Sequence, residues 1–224
     1  MARNFASANP DKLIYDNITP VNFDFGDTFS VAAWINATSG GDNAIVGHLD
    51  TGAGFKGWEL HLGSTPEFFL INTYPTSALQ KLFSTASPSA GTWLHLGATY
   101  DGSTNAVGIN LYANGSLDNG SATQDTLGND ATTNALNLTI GARPDGSAAF
   151  NGAVAEVGVW SGVLTAAEMA SLAKGFSPQL IRPSGLRFYA PLVRGQNDIR
   201  GQNGTLTGTT VVAHPRMIYP RRYK

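Results

Sequence analysis

The chain has 224 residues, of which only 13% are charged, against about 25% in an ordinary soluble domain. Its formal net charge of −2 gives no field that attracts nucleic acid or anionic membranes, and the absence of cysteine excludes thiol catalysis and cysteine-ligated metal. The sequence has no run of 18 apolar residues and no apolar stretch after residue 1, so we expect neither a helical membrane span nor a secretory signal.

Short β-forming runs separated by Gly, Asn, Asp, Ser and Pro fill most of the sequence. In residues 29–35 and 57–62, side chains alternate between apolar and polar, which is typical of strands with one buried face. Asn114 and Gly115 predict a tight hairpin, because both residues accept a positive φ. Further strands are predicted at residues 44–47, 68–71, 93–100, 107–112, 136–141, 154–160 and 186–192. The pattern predicts an all-β fold.

One segment departs from the strand pattern. Thr165 and Glu168 have the spacing of a helix capping box, and alanine-rich sequence follows them. Lys174 and Gly175 then provide a basic last turn and a stop signal. We predict one short helix at residues 165–174.

No linker in the chain is long enough to divide two domains. A length of 224 residues fits one large β-sandwich, and residues 1–212 are predicted to form it. Residues 117–134 are polar and are predicted to form a loop. Residues 213–224 are predicted to form a basic and aromatic C-terminal arm.

Four segments, in order and at sensible spacing, resemble the laminin-G-like domains of the concanavalin A lectin/glucanase superfamily. They are an early strand with a central Trp at residues 29–35, a W-x-H-x-x-x-T-Y-D-G stretch within residues 92–102, an L-Y-x-N-G hairpin at residues 111–115, and a final strand-and-helix signature at residues 140–168. The resemblance implies a two-sheet antiparallel jelly-roll sandwich. The family includes lectins, adhesion modules, pentraxin-like proteins and glycoside hydrolases, so the fold does not settle the function.

The acidic residues are not spaced for glycoside hydrolysis. Retaining glycosidases need two carboxyl groups about 5–5.5 Å apart, and neighbours on one strand face are two positions apart. No two acidic residues here have that spacing, and the E-x-D-x-E pattern of the family's hydrolases is missing. A G-x-S-x-G nucleophile motif is also missing. We therefore expect no enzymatic activity, although carboxylates distant in sequence could still meet in space.

Metal-binding signals are sparse. The four histidines lack H-x-H or H-x-x-x-H spacing, and we interpret His95 as a packed, hydrogen-bonded strand residue. We expect no cofactor, with calcium left open by the resemblance because laminin-G-like modules often hold Ca²⁺ with loop carboxylates. Asp50, Asp101 and Asp145 lie in predicted turns, where Asp is also favoured for its conformation. In the last strand, Glu156 stands alone where the family often has an acidic pair.

The aromatic residues raise the hypothesis of a carbohydrate site, because sugar faces stack on aromatic rings. The tryptophans on strands that match the family are predicted to lie in the core: Trp34, Trp93 and Trp160. Trp58 follows a glycine in a loop-rich region, and we interpret Trp58 and Tyr74 as candidate glycan-binding residues, with Phe55 as a further exposed ring.

The C-terminal arm is a candidate partner-binding segment. Tyr and Arg are favoured interface anchors, and prolines lower the entropy cost of ordering an arm. The candidate residues are Arg216, Tyr219, Arg221, Arg222 and Tyr223. The alternative interpretation is a solvated terminus.

The predicted function follows from the resemblance and the missing export signal. Laminin-G-like modules usually work outside cells, and lone modules of this type resemble phage virion proteins, which assemble in the host cytoplasm. We predict a non-enzymatic structural protein on the virion surface (a capsid decoration, head-fibre or tail-surface component) with weak glycan affinity. Its partners would be capsid or tail proteins of the same particle, and the sequence leaves its own oligomeric state open. The alternative is a lectin or adhesin module, not tied to a virion, that binds a cell-surface glycan.

Overall fold

The computed structural model describes residues 2–16, 19–38, 41–52, 54–85, 88–193 and 203–220. The strands, in chain order, are β1 (Ala2–Phe5), β2 (Lys12–Tyr15), β3 (Phe29–Ala37), β4 (Asn43–Asp50), β5 (Lys56–Leu62), β6 (Pro66–Thr73), β7 (Ser77–Phe83), β8 (Leu94–Tyr100), β9 (Ile109–Ala113), β10 (Ser116–Leu117), β11 (Asn119–Asp125), β12 (Leu138–Ile140), β13 (Gly152–Ser161), β14 (Leu186–Ala190), β15 (Gly204–Thr207) and β16 (Thr210–Val212). One α-helix, α1 (Ala166–Ala173), and three short 3₁₀ turns (Thr19–Val21, Ala106–Gly108 and Pro178–Leu180) complete the described elements.

In the described residues, the strands form two eight-stranded antiparallel sheets. The first sheet has the order β10-β9-β8-β3-β13-β1-β16, and β14 also pairs with β13. The second sheet has the order β11-β7-β6-β5-β4-β12-β2-β15. Their inner faces share one continuous apolar core, as expected for a sandwich. The predicted two-sheet antiparallel sandwich with one short helix is confirmed.

Alternation along each strand separates the core from the outer faces. On β5, Trp58, Leu60 and Leu62 are fully buried between the sheets, whereas Glu59 and His61 lie on the outer face. The indole N–H of Trp58 donates to the Val21 carbonyl at 2.8 Å, so the buried ring leaves no polar atom unpaired. Trp58 therefore belongs to the core.

Helix α1 packs on the outer face of the first sheet, near β8 and β10. It begins with the predicted capping box, in which the Glu168 N–H donates to Thr165 Oγ1 and the Thr165 N–H donates to Glu168 Oε2. Met169 packs onto Gly97, where an added Cβ would lie 2.7 Å from the Met169 sulfur. The glycine thus makes room for the helix.

The predicted loop at residues 117–134 is wrong in its first part, because β11 occupies Asn119–Asp125 and pairs with β7. This strand is at the edge of the second sheet and most of its side chains are exposed. An edge strand with no buried face carries no alternating apolar pattern, so its sequence resembles a loop.

Candidate functional site

The outer face of the second sheet carries an apolar patch beside charged residues. The register of β5 and β6 places Glu59 opposite Phe69 and His61 opposite Glu67. Phe69 packs with other apolar side chains of this face, which are Leu49, Ile71, Ala78 and the partly buried Phe55. Apolar contact and hydrogen bonding are therefore available side by side on neighbouring strands.

A pocket of about 300 Å³ opens over this patch, at the lower end of the range of about 300–1,000 Å³ usual for small-ligand sites. Its polar and aromatic lining includes Asp42, Phe55, His61, Glu67, Tyr74 and Arg143. We call it the Tyr74 pocket. It is the candidate functional site because it joins a partly exposed ring, an apolar floor and convergent polar groups.

His61 lies at the centre of the polar side of the Tyr74 pocket. Its Nδ1 is 2.8 Å from Glu59 Oε1, and its Nε2 is 3.0 Å from Asp42 Oδ1 and 3.9 Å from Glu67 Oε1. The Asn43 N–H also approaches Nε2, at 3.2 Å, but two close carboxylates favour the doubly protonated ring. Burial alone would lower the pKa of His61, and the hydrogen bonds to Asp42 and Glu59 outweigh it and raise the pKa to about 9.

Arg143 completes the ionic network. Its Nη2 donates to Glu59 Oε1 at 2.9 Å and its Nε donates to Glu59 Oε2 at 3.1 Å, while its guanidinium carbon lies 5.1 Å from the Phe55 ring centre. Burial would raise the pKa of Glu59, but His61 and Arg143 outweigh burial and hold this pKa below its ordinary value. Both oxygens of the buried carboxylate are thus paired, and the guanidinium is already engaged.

The network has three carboxylates and two cations, so its formal charge is one negative. The hydrogen bond from His61 lowers the pKa of Asp42, and the pKa of Glu59 is lowered as well. The general acid of a glycosidase instead needs a raised pKa. Neither Asp42 nor Glu59 therefore has the raised pKa that this role needs, and of the two only Asp42 lines the pocket.

Tyr74 forms the aromatic side of the pocket. It is 39% exposed, and its ring packs edge-on against Phe55 with centroids 6.5 Å apart. Its hydroxyl donates to Gln80 Oε1 at 3.4 Å, and Gln80 Nε2 donates to Glu67 Oε2 at 2.7 Å. The ring is therefore held in place with part of its surface open to a ligand.

The structure separates the two predicted glycan-binding residues. Tyr74 lines the pocket as an exposed ring. The interpretation of Trp58 as an exposed ring is wrong, because its relative exposure is 0% and no ligand can reach a ring buried between the sheets.

The other three tryptophans differ in whether they lie in the core, as predicted. Trp160 is buried beneath the helix, with its indole N–H donating to the Ile181 carbonyl, as predicted for a core residue. Trp34 and Trp93 are only partly buried and lie on the outer face of the first sheet. Their predicted core position is wrong because Ile35 and Leu94, their neighbours in sequence, take the inward positions.

His95 is packed as predicted, with its ring edge-on to Trp34 at 5.3 Å. Its backbone N–H donates to Asn114 Oδ1 at 3.1 Å. Its buried Nδ1 has no hydrogen-bond partner among the described residues, which differs from the predicted hydrogen-bonded side chain. Burial lowers the pKa of His95 to about 3.

Sequence reasoning missed the ionic network because its members come from separate segments. Asp42 precedes β4, Glu59 lies on β5, Glu67 lies on β6, and Arg143 follows β12. The one sequence signal was the spacing of Glu59 and His61, which places both on the same face of a strand. The carboxylates distant in sequence do meet in space, around a histidine.

The three carboxylates in predicted turns, those of Asp50, Asp101 and Asp145, accept hydrogen bonds within those turns. Asp50 accepts from the Gly52 N–H, Asp101 from the Ser103 N–H, and Asp145 from both the N–H and the hydroxyl of Ser147. In the described ranges, no group of three His, Asp or Glu side chains is arranged to hold a metal ion.

A second, larger cleft of about 400 Å³ is lined by His48 of β4 and by residues that follow β2 or precede β12. Asn22 and Asn134 pair there through two hydrogen bonds of 2.8 and 3.1 Å, and burial lowers the pKa of the neighbouring His48 to about 4. The described residues that line it include no Trp, Tyr or Phe. We therefore place the candidate site in the smaller Tyr74 pocket.

The described part of the predicted arm, residues 213–220, packs on its own chain. The Ser177 N–H donates to the Ile218 carbonyl at 2.9 Å, and Tyr219 Oη donates to Glu156 Oε1 at 2.7 Å. His214 Nε2 lies 3.0 Å from the same oxygen. Arg216 is exposed, and the remaining arm candidates, Arg221, Arg222 and Tyr223, lie outside the described residues. Binding of the arm to a partner stays a prediction.

Removal of residues 213–224 should lower the free energy of unfolding by about 1.5–3 kcal/mol. The deletion leaves the buried Glu156 carboxylate with the hydroxyl of Tyr189 but without Tyr219 and His214, and a hydrogen bond to a charged group contributes about 1.5–3 kcal/mol. Urea denaturation measures the change, with Arg216→Ala as the control, since an exposed substitution should stay within about 0.5 kcal/mol. Equal stability of the deletion and the full chain would contradict this role.

None of the helices in the described part of the chain is long and apolar enough to cross a membrane.

Three solved structures share this fold at low sequence identity. A protein of Bacteroides ovatus ATCC 8483, described as a proposed carbohydrate binding protein, matches with a TM-score of 0.64 and 23% identity over 93% of this chain. This chain covers 58% of that protein's length. The CBM40 of the Ruminococcus gnavus IT-sialidase, bound to α2,3-sialyllactose, matches with a TM-score of 0.53 and 17% identity, over 77% of this chain and 95% of that one.

The third is the native heptameric SAP-like pentraxin of Limulus polyphemus, with a TM-score of 0.52 and 12% identity over 93% of both chains. No curated protein matches the sequence. The family Laminin_G_3, described as Concanavalin A-like lectin/glucanases superfamily, matches residues 14–170, which is more than half of the chain. The chain belongs to this family.

Proposed function

We propose that this protein is a non-catalytic carbohydrate-binding module that binds a glycan in the Tyr74 pocket. The observation that carries the proposal is the pocket itself, in which the 39% exposed Tyr74 ring stands over an apolar floor and beside a fixed hydrogen-bonding network. A sugar has an apolar face for the ring and hydroxyls for the network. The fold is shared with a CBM40 bound to sialyllactose, which supports the ligand class.

The charge of the pocket favours a neutral glycan over an acidic one. An acidic sugar needs a cation whose charge is not already balanced, and the guanidinium of Arg143 is paired with both oxygens of Glu59 and lies 4.0 Å from Asp42. Asp42 and Glu67 add negative charge at the pocket, which would repel a ligand carboxylate. We therefore expect lactose-type neutral oligosaccharides to bind better than their sialylated forms.

Tyr74→Ala should weaken glycan binding about tenfold, since contacts of an aromatic ring contribute about 0.5–1.5 kcal/mol beyond the area they bury. Calorimetric titration of the full chain with lactose and with α2,3-sialyllactose measures both the loss and the predicted preference. Val107→Ala is the matched control, because Val107 is 85% exposed and is not part of the Tyr74 pocket.

Two results would count against the proposal. Equal affinity of Tyr74→Ala and the unmodified chain would remove the pocket as the site. Release of reducing sugar from a glycan by the protein would replace binding with hydrolysis. A preference for sialyllactose would keep the binding function and reverse the inference about charge.

The virion location is a separate proposal that rests on the resemblance to phage particle proteins. Quantitative mass spectrometry of density-purified particles tests it, and a stoichiometry comparable with shell or tail proteins is expected. Removal of residues 213–224 should then reduce association with the particle. Absence of the chain from particles would leave the glycan-binding module on its own.

A further inference from the structure

The helix leaves part of the outer face of the first sheet uncovered. Helix α1 packs near β8 and β10, whereas strands β1, β13 and β3 meet a separate cleft of about 260 Å³. Its described lining includes Asn4, Asn36, Trp93, Ala153 and Val212. We call it the Trp93 cleft. It lies on the opposite side of the sandwich from the Tyr74 pocket.

Strand register arranges the residues of the Trp93 cleft in one row. Asn4 lies opposite Ala153 on the neighbouring strand, and Ala153 lies opposite Asn36 on the next. Adjacent strands are about 4.8 Å apart, so the two asparagines stand about 10 Å apart across a methyl-sized floor. The pairing of β3 with β8 ends at Ile35 and Leu94. The next residue on each side of this pair is Asn36 and Trp93, so these two lie beside each other. Across the sheet, the row therefore consists of the Asn4 amide, the Ala153 methyl group, the Asn36 amide and the Trp93 indole.

Within the described residues, the side-chain amides of Asn4 and Asn36 and the indole N–H of Trp93 make no hydrogen bond, although each amide offers two donors and one acceptor. Trp34, on the same sheet face, has a buried Nε1 with no partner among the described residues. Unpaired groups in a row on a rigid sheet are available to a ligand and need no rearrangement to receive it.

The lining also defines the class of ligand. The described residues around the Trp93 cleft carry no ionisable side chain, so the cleft offers nothing to balance a charged ligand. Two carboxamides suit hydroxyl groups, and a half-buried indole suits an apolar face. We infer that the Trp93 cleft is a second binding site, which takes a neutral saccharide between Asn4, Asn36 and the Trp93 ring.

A second site on the opposite sheet has a consequence for avidity. One chain would hold two saccharides on opposite faces and could link two glycans, and avidity can increase binding by about 10²–10⁴ without new contacts. The inference does not depend on the Tyr74 pocket, because the two sites share no residue.

Protein-observed ¹⁵N NMR on the full chain tests the site, with lactose, maltose, cellobiose and N,N′-diacetylchitobiose as the probes. We expect the Trp93 indole signal and the side-chain amide signals of Asn4 and Asn36 to shift with at least one probe. The indoles of Trp58 and Trp160 are internal controls, because both are buried and hydrogen-bonded to backbone carbonyls. Trp93→Phe and Trp34→Phe assign the two outer indole signals.

Two variants decide whether the shifts report binding in the cleft. Asn36→Ala should weaken the response about tenfold through loss of ligand hydrogen bonds, and Ala153→Leu should abolish it by filling the floor. Unchanged Trp58 and Trp160 signals verify that each variant is folded. The inference is overturned if no probe shifts the Trp93 signal, or if both variants respond like the unmodified chain. Signals around Tyr74 are read separately in the same spectra, so failure at one site is distinguishable from failure at the other.

Discussion

Glu59→Gln should lower the free energy of unfolding by about 3–5 kcal/mol, the cost of removing one partner from a buried ion pair. The Glu59 side chain is 1% exposed and balances the charges of both His61 and Arg143. A neutral amide at this position would remove the carboxylate closest to Arg143 and would leave His61 with Asp42 and Glu67 alone. Urea denaturation at neutral pH measures the loss, and glycan binding should fall with it because the polar side of the Tyr74 pocket loses its fixed geometry.

Asp42→Asn is the matched control, since Asp42 contacts the same histidine but its side chain is 72% exposed. An exposed pair contributes about 0–1 kcal/mol, so this variant should be much less destabilised than Glu59→Gln. The double variant Glu59→Gln/Arg143→Met should recover part of the loss, because it removes an unpaired cation along with its partner. Similar destabilisation by Glu59→Gln and Asp42→Asn would contradict the assignment of Glu59 as the buried centre of the network.

The sandwich could be predicted from sequence because its core strands alternate. The stretch from Trp58 to Leu62 has two outward polar residues between three inward apolar ones, and this pattern fixes which face is buried. Helix α1 could also be predicted from sequence, since Thr165 and Glu168 of its capping box are only three residues apart. Features determined by neighbours in sequence were therefore predictable.

Position across a sheet was not predictable in the same way. The predicted surface position of Trp58 was wrong although Trp58 shares the buried face of Leu60 and Leu62, and the predicted core position of Trp93 was wrong because Leu94 takes the inward position. The edge strand β11 has no buried face and produced no signal. The Tyr74 pocket needs the pairing of β5 with β6 and the approach of Arg143, which are contacts between distant segments.

Stability should be greatest near pH 6.5, because the buried histidines have pKa values shifted in opposite directions. The pKa of His61 is about 9 in the folded chain against 6.5 ordinarily, so the folded state holds a proton that the unfolded chain releases as pH rises. This contribution is complete below pH 6.5 and is lost between pH 6.5 and about 9. Each pKa unit corresponds to about 1.4 kcal/mol, which gives a loss of up to about 3 kcal/mol on the alkaline side.

Below pH 6.5, the change of stability with pH has the opposite sign. Burial lowers the pKa of His48 to about 4 and that of His95 to about 3. Below pH 6.5, the unfolded chain therefore binds protons at these histidines that the folded chain does not bind. Stability should therefore also fall as the pH decreases from 6.5, and the lowered pKa of Glu59 adds to the fall below its ordinary value of 4.5. Urea midpoints measured at about pH 5, 6.5 and 9 give both limbs of the curve. His61→Gln should flatten the alkaline limb and leave the acid limb in place, whereas an unchanged alkaline limb in this variant would show that another group titrates there.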